Sequence, residues 1–96
     1  MNNTALTIRR ATAADAFALR RLAAIDSAAP PTGDVLLAEI GHELWAAVSV
    51  ATGDAIADPF RPSAELVDLL RFRVARMRSD EHAHRGALAR LLPRAA

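Results

Sequence analysis

The sequence predicts an α+β fold of four short, mainly antiparallel strands and two helices. Three observations carry that expectation. A short alternating segment runs into a capped helix near the N-terminus. Three apolar runs follow, separated by brief turn signals. A second helical stripe begins after a corner bounded by prolines. With 96 residues the chain is one domain at most, which excludes a deep cleft between two lobes. Apolar residues make up 52% of the chain, but 23 of them are alanine, leaving larger side chains for one two-layer core.

In order, Ala5 to Arg9 reads as a strand, because Leu6 and Ile8 alternate with Thr7 and Arg9. Thr12-Ala13-Ala14-Asp15 has the form of a capping box, with the Asp15 carboxylate where the helix dipole favours it. The helix is expected from Ala13 to about Asp26, burying Ala16, Leu19, Leu22 and Ala23. Pro30-Pro31 and Gly33 break the pattern. Val35 to Ile40 is a nearly continuous apolar strand, Gly41-His42 a tight turn, and Glu43 to Val50 the next strand. Thr52-Gly53 turns into a short fourth strand, Asp54 to Asp58. After Asp58-Pro59-Phe60-Arg61-Pro62, Ser63 is placed to cap a second helix. Val67, Leu70, Val74 and Met77 fall on one face of it, and Arg71 points to water. The helical signal weakens after Ser79. Residues 1–78 are therefore expected to form the α+β domain and residues 79–96 a flexible, Arg-rich tail, with Ala87 to Leu92 able to add a helical turn or two.

Composition excludes several chemistries. Without cysteine there is no disulfide, thiolate nucleophile or cysteine metal site, and without tyrosine no phenolic acid or base. Net charge is +1, but residues 1–70 carry −4 and residues 71–96 carry +5. All twelve cations are arginine. No basic and apolar leader is visible, and the longest apolar stretch, Leu44 to Ala51, is far short of the ~20 residues that cross a bilayer. A cytoplasmic protein without membrane contact is expected.

The run Thr7-Ile8-Arg9-Arg10-Ala11-Thr12-Ala13-Ala14-Asp15-Ala16 resembles the strand-to-helix opening of GNAT-superfamily N-acetyltransferases, and Val35 to Val50 is similar to the hairpin of their second and third strands. The resemblance covers about residues 6–58. It implies an acyl-CoA site after the fourth strand, where a glycine-rich loop presents backbone amides to a pyrophosphate at a helix start. Here that stretch is Ala57-Asp58-Pro59-Phe60-Arg61-Pro62-Ser63. It has no glycine, two prolines without amide donors, and a carboxylate at Asp58. Arg61 and Ser63 are the weak cofactor-binding candidates. A full domain of the family also continues into a fifth strand, a helix and a final hairpin, whereas 19 residues follow Met77. The resemblance thus implies an N-terminal half domain lacking the pyrophosphate loop.

Other constellations have plain readings. His82 and His84 would share a face in a strand but not in a helix, so no metal site is expected. His42 falls in a hairpin turn with no nucleophile beside it, and Glu39 and Glu43 flank the same turn as solvated carboxylates. Trp45 reads as a core or interface residue. Arg71, Arg73, Arg76, Arg78, Arg85, Arg90 and Arg94 could meet phosphates, but only Phe72 interleaves with them. Leu88, Leu91 and Leu92 make too short a stretch for a membrane surface.

The expected function is therefore a non-catalytic GNAT-like half domain acting through protein association, with no catalytic residue, metal or cofactor. The fourth strand lacks a fifth to pair with, and a homodimer or a partner chain would close its edge. One alternative is an acyl-CoA-dependent N-acetyltransferase completed by a second subunit, with acetyl-CoA as cofactor. Another is a nucleic-acid-binding accessory protein using the Arg-rich helix.

Overall fold

The computed structural model describes residues 5–91. Leu92 and Arg94 lie outside them, as do the side chains of Leu88, Arg90 and Leu91. The elements are β1 (Leu6–Arg10), a 3-10 turn (Ala13–Asp15) running into α1 (Ala16–Ile25), β2 (Val35–Ile40), β3 (Glu43–Ser49), β4 (Ala55–Ala57) and α2 (Ala64–Leu91). The strands form one antiparallel sheet in the order β1-β2-β3-β4. The α+β class and the meander are as the sequence predicts.

The layering differs from the expectation of two layers. Leu19, Leu22 and Ala23 of α1 pack with Val35, Leu37, Ala47 and Ile56. Leu70 and Val74 of α2 pack with Leu36, Ala38, Ala46 and Val48. Odd and even positions of β2 thus belong to different cores, and a helix covers each face of the sheet. This explains why Val35 to Ala38 is apolar at every position: a strand covered on both faces does not alternate. Alanine makes the sandwich thin enough for a short chain. Ala38, Ala46 and Ala47 are fully buried at the sheet centre, where a larger side chain would push a helix away.

Local chemistry sets the turns. Gly41 (φ 57°) and His42 (φ 71°) both adopt left-handed conformations, the geometry of a two-residue hairpin whose twist matches its strands. Ser27 (φ 53°) turns the chain out of α1, and the Ala28 amide donates back to the Ala23 carbonyl at 2.9 Å. In the β2–β3 ladder Ala38 pairs with Ala46 and Glu39 with Leu44, so Trp45 is the extra residue of a β-bulge.

The second helix departs from the expected boundary at Ser79. It continues unbroken to Leu91, 28 residues in all. The weakened pattern there marks a helix without a packed face rather than a helix end. Met77 is the last described residue of α2 in the core, and Arg78 the last to bond the sheet side, donating to the Ala51 carbonyl. No helix among the described residues is long and apolar enough to cross a membrane.

Candidate functional site

The junction from β4 to α2 is where the sequence resemblance would place an anion-binding loop. Its backbone is closed on itself. The Asp58 amide donates to the Trp45 carbonyl at 3.0 Å, extending the strand pairing by one residue. The Phe60 amide donates to Asp58 Oδ1 at 2.9 Å, the Arg61 amide to the Asp58 carbonyl at 3.3 Å, and the Ser63 amide to the Arg61 carbonyl at 2.7 Å. Pro59 and Pro62 have no amide to offer. Every N–H from residue 58 to residue 63 is therefore either bonded within the protein or missing.

Both weak candidates from the sequence are present here, and both have internal partners. The Arg61 guanidinium pairs with Asp58 through Nε at 3.2 Å and with Glu43 through Nη1. It also lies 4.9 Å from the centre of the Trp45 ring. Ser63 is buried, and its hydroxyl donates to the Asp58 carbonyl at 2.9 Å. It stands at the start of α2, where its carbonyl accepts from the Val67 amide at 3.0 Å. Its side chain does not cap the helix as the sequence predicts, because its hydroxyl is given to the Asp58 carbonyl, which also accepts the Arg61 amide. Asp58 and Glu43 outnumber Arg61, and Glu65 adds a carboxylate in the first turn of α2. Beside them a shallow groove of about 350 Å³ runs under α1, lined by Arg21, Leu22, Ile25 and Leu44 among others. The Trp45 indole N–H is buried without a hydrogen-bond partner.

A second polar cluster holds the opposite edge of the sheet. Arg9 donates to both Asp15 oxygens, at 2.8 and 2.9 Å, and to Glu39 Oε1 at 2.6 Å. Asp15 also accepts from the Thr12 amide at 2.7 Å, so the predicted capping box forms and is tied to β1 and β2. These hydrogen bonds from Arg9 and Thr12 hold the Asp15 carboxyl well below the usual carboxylate range, and Asp15 with Glu39 pushes Arg9 further up. Such a carboxylate is a poor proton donor, and the bidentate geometry suits a brace. Glu39 and Glu43, neighbours across the hairpin in the sequence, are each taken by a different arginine.

The remaining sequence candidates are not brought together. His82 and His84 lie two apart on α2, and no group of three metal-ligating side chains occurs among the described residues. The Arg71 guanidinium donates to the Gly53 carbonyl at 3.1 Å and Arg85 pairs with Glu81 at 2.6 Å, so the arginine row is partly used within the molecule.

The residue that sequence reasoning misses is Asp26. Hydrogen bonds from Ser49 to the Asp54 carbonyl and from Asp58 to the Trp45 carbonyl show that even-numbered positions of β4 face β3. Ala55 and Ala57 consequently turn their backbone groups to the open side. There Asp26 Oδ2 accepts from the Ala57 amide at 3.1 Å. The Ala55 amide and the carbonyls of Ala55 and Ala57 remain outward. No local pattern at Asp26 signals this, since the two residues are brought together only by the packing of α1 on the sheet. Family models, curated proteins and solved structures offer no match to this chain.

Proposed function

We propose that this chain is a non-catalytic, GNAT-like half domain that acts through protein association at the open edge of β4. The observation that carries the reading is the outward row at Ala55 and Ala57, three backbone groups with no strand beside them and one amide held by Asp26. Unpaired strand edges accept added strands. The strand would come from a second copy or from a partner chain. The order strand, capped helix, meander and helix is the one the resemblance implies, and a helix does follow the fourth strand. Against acyl-CoA chemistry stands the β4–α2 junction, whose amides are consumed internally and whose arginine is outnumbered by carboxylates.

Two measurements test this. Calorimetric titration with acetyl-CoA is expected to show no binding; a micromolar dissociation constant with thermal stabilisation would instead support an acyltransferase completed by a second subunit. Amide exchange at Ala55 is expected to slow as protein concentration rises or when a partner is added. Exchange at Ala55 that stays fast in an associated sample would sink the edge as the interface.

A further inference from the structure

We propose that the open edge of β4 takes an extended segment of a different protein, antiparallel, with a carboxylate side chain opposite Ala55 that is held by Arg71. The proposal rests on the edge reading above and adds the partner's chemistry, direction and register.

The two faces of β4 set the geometry. Ala55 packs toward the core beneath α2, and Ile56 sits in the core beneath α1. A cavity of about 540 Å³ touches both, walled by Ala28, Pro30 and Pro31 on the α1 side and by Arg71 on the α2 side. Since β4 is the last strand of the sheet, a cavity that reaches both sides runs along its open flank. Arg71 gives its Nε–H to the Gly53 carbonyl at 3.1 Å, which holds the guanidinium beside the start of β4. Among the described residues its Nη nitrogens have no hydrogen-bond or ion-pair partner. They are charged donors beside a strand edge, and a carboxylate is the group that matches them.

The backbone chooses the direction. An antiparallel residue opposite Ala55 exchanges both of its hydrogen bonds with it. A parallel strand would split those bonds between two residues, and the second would turn its carbonyl to the Ala57 amide, which Asp26 already holds. Cross-strand partners share a face. The residue opposite Ala55 therefore points to the α2 side, toward Arg71. The residue before it, opposite Ile56, points to the α1 side, toward Ala28 and the prolines. An acidic residue preceded by an apolar one fits both walls.

Charge also decides between a partner and a second copy. The Ala11 amide donates to the Val35 carbonyl and the Gly41 amide to the Ala5 carbonyl, so Leu6, Ile8 and Arg10 are the outward positions of β1. Those of β4 are Ala55 and Ala57. Neither edge of a second copy can set a carboxylate opposite Ala55, and two β4 strands paired about Ala55 would bring both Arg71 side chains to one face.

The test uses blocked heptapeptides with glutamate, glutamine or lysine at the centre, valine before it and threonine elsewhere, titrated into the full chain by NMR. The glutamate peptide is expected to slow amide exchange at Ala55, and the glutamine peptide to bind about threefold or more weakly, the size of an exposed ion pair. Arg71→Glu should reverse the preference toward the lysine peptide, and Arg71→Lys should keep it for glutamate; thermal melts check that both variants are folded. Equal binding of the glutamate and glutamine peptides overturns the proposal, and so does an Arg71→Glu chain that still prefers glutamate. Protection of Ala55 by self-association, with no peptide binding, would remove this proposal and keep the β4 reading. Ala55 exchanging fast in a peptide-saturated sample would remove both.

Discussion

The Asp26 carboxylate, at the end of α1, accepts a hydrogen bond from the Ala57 amide at 3.1 Å on the open side of β4. One side chain thus does for this edge what a neighbouring strand would do, at a single position. It also ties the first helix to the last strand across 31 residues of sequence. The rest of this edge has no strand beside it.

Asp26→Ala should destabilise the protein by about 1–2 kcal/mol, the low end for a hydrogen bond to a charged acceptor because this one is only part-buried. Asp26→Asn keeps an acceptor oxygen and should lose less. Denaturant melts give the energies, and amide exchange at Ala57 should speed up in Asp26→Ala while the β2–β3 ladder keeps its protection. Unchanged exchange at Ala57 would show that the carboxylate does not guard the edge.

The brace around Arg9 makes a pH prediction. Asp15 has a depressed folded-state pKa, so its contribution is full above the ordinary carboxylate value of ~3.9 and is lost as pH falls through that range toward the folded value. The melting temperature of Asp15→Asn should therefore lie below wild type by a constant margin from about pH 7 to about pH 5, and the margin should narrow steadily as pH falls below about 4. A margin that persists in acid would mean that the asparagine harms the helix start for reasons unrelated to charge.

Leu70 is fully buried in the core beneath α2, between Val67 and Val74. Leu70→Ala should cost about 2–5 kcal/mol. Arg71 is exposed, with one hydrogen bond to the Gly53 carbonyl, and Arg71→Ala should cost no more than about 1 kcal/mol. Equal losses in the two melts would contradict the facing of this helix.

His42 holds a left-handed conformation at φ 71° in the β2–β3 turn. His42→Gly should be neutral or slightly stabilising, because glycine reaches this region without strain. His42→Val should cost about 1–2 kcal/mol, as a branched side chain clashes there. Thermal melts of both variants check this: equal losses in His42→Gly and His42→Val would contradict a conformational role for this position.

What the sequence determined by itself is local. Alternation at Leu6 and Ile8, the Thr12–Asp15 cap, the Gly41-His42 turn and the stripe from Val67 to Met77 each depend on residues a few positions apart, and each element stands close to where those residues put it. The continuous apolar run from Val35 to Ala38 even held the sign of a sheet covered on both faces. Only the tertiary structure decided which groups would meet. It sent Ser63 back to Asp58 rather than into α2, placed Arg61 between Glu43 and Asp58, and carried Asp26 to Ala57. It also carried α2 past Ser79, where amphipathic spacing weakens because no sheet lies beneath the helix. Backbone hydrogen bonding propagates a helix through such a stretch, whereas hydrophobic periodicity records only what the helix has been given to pack against.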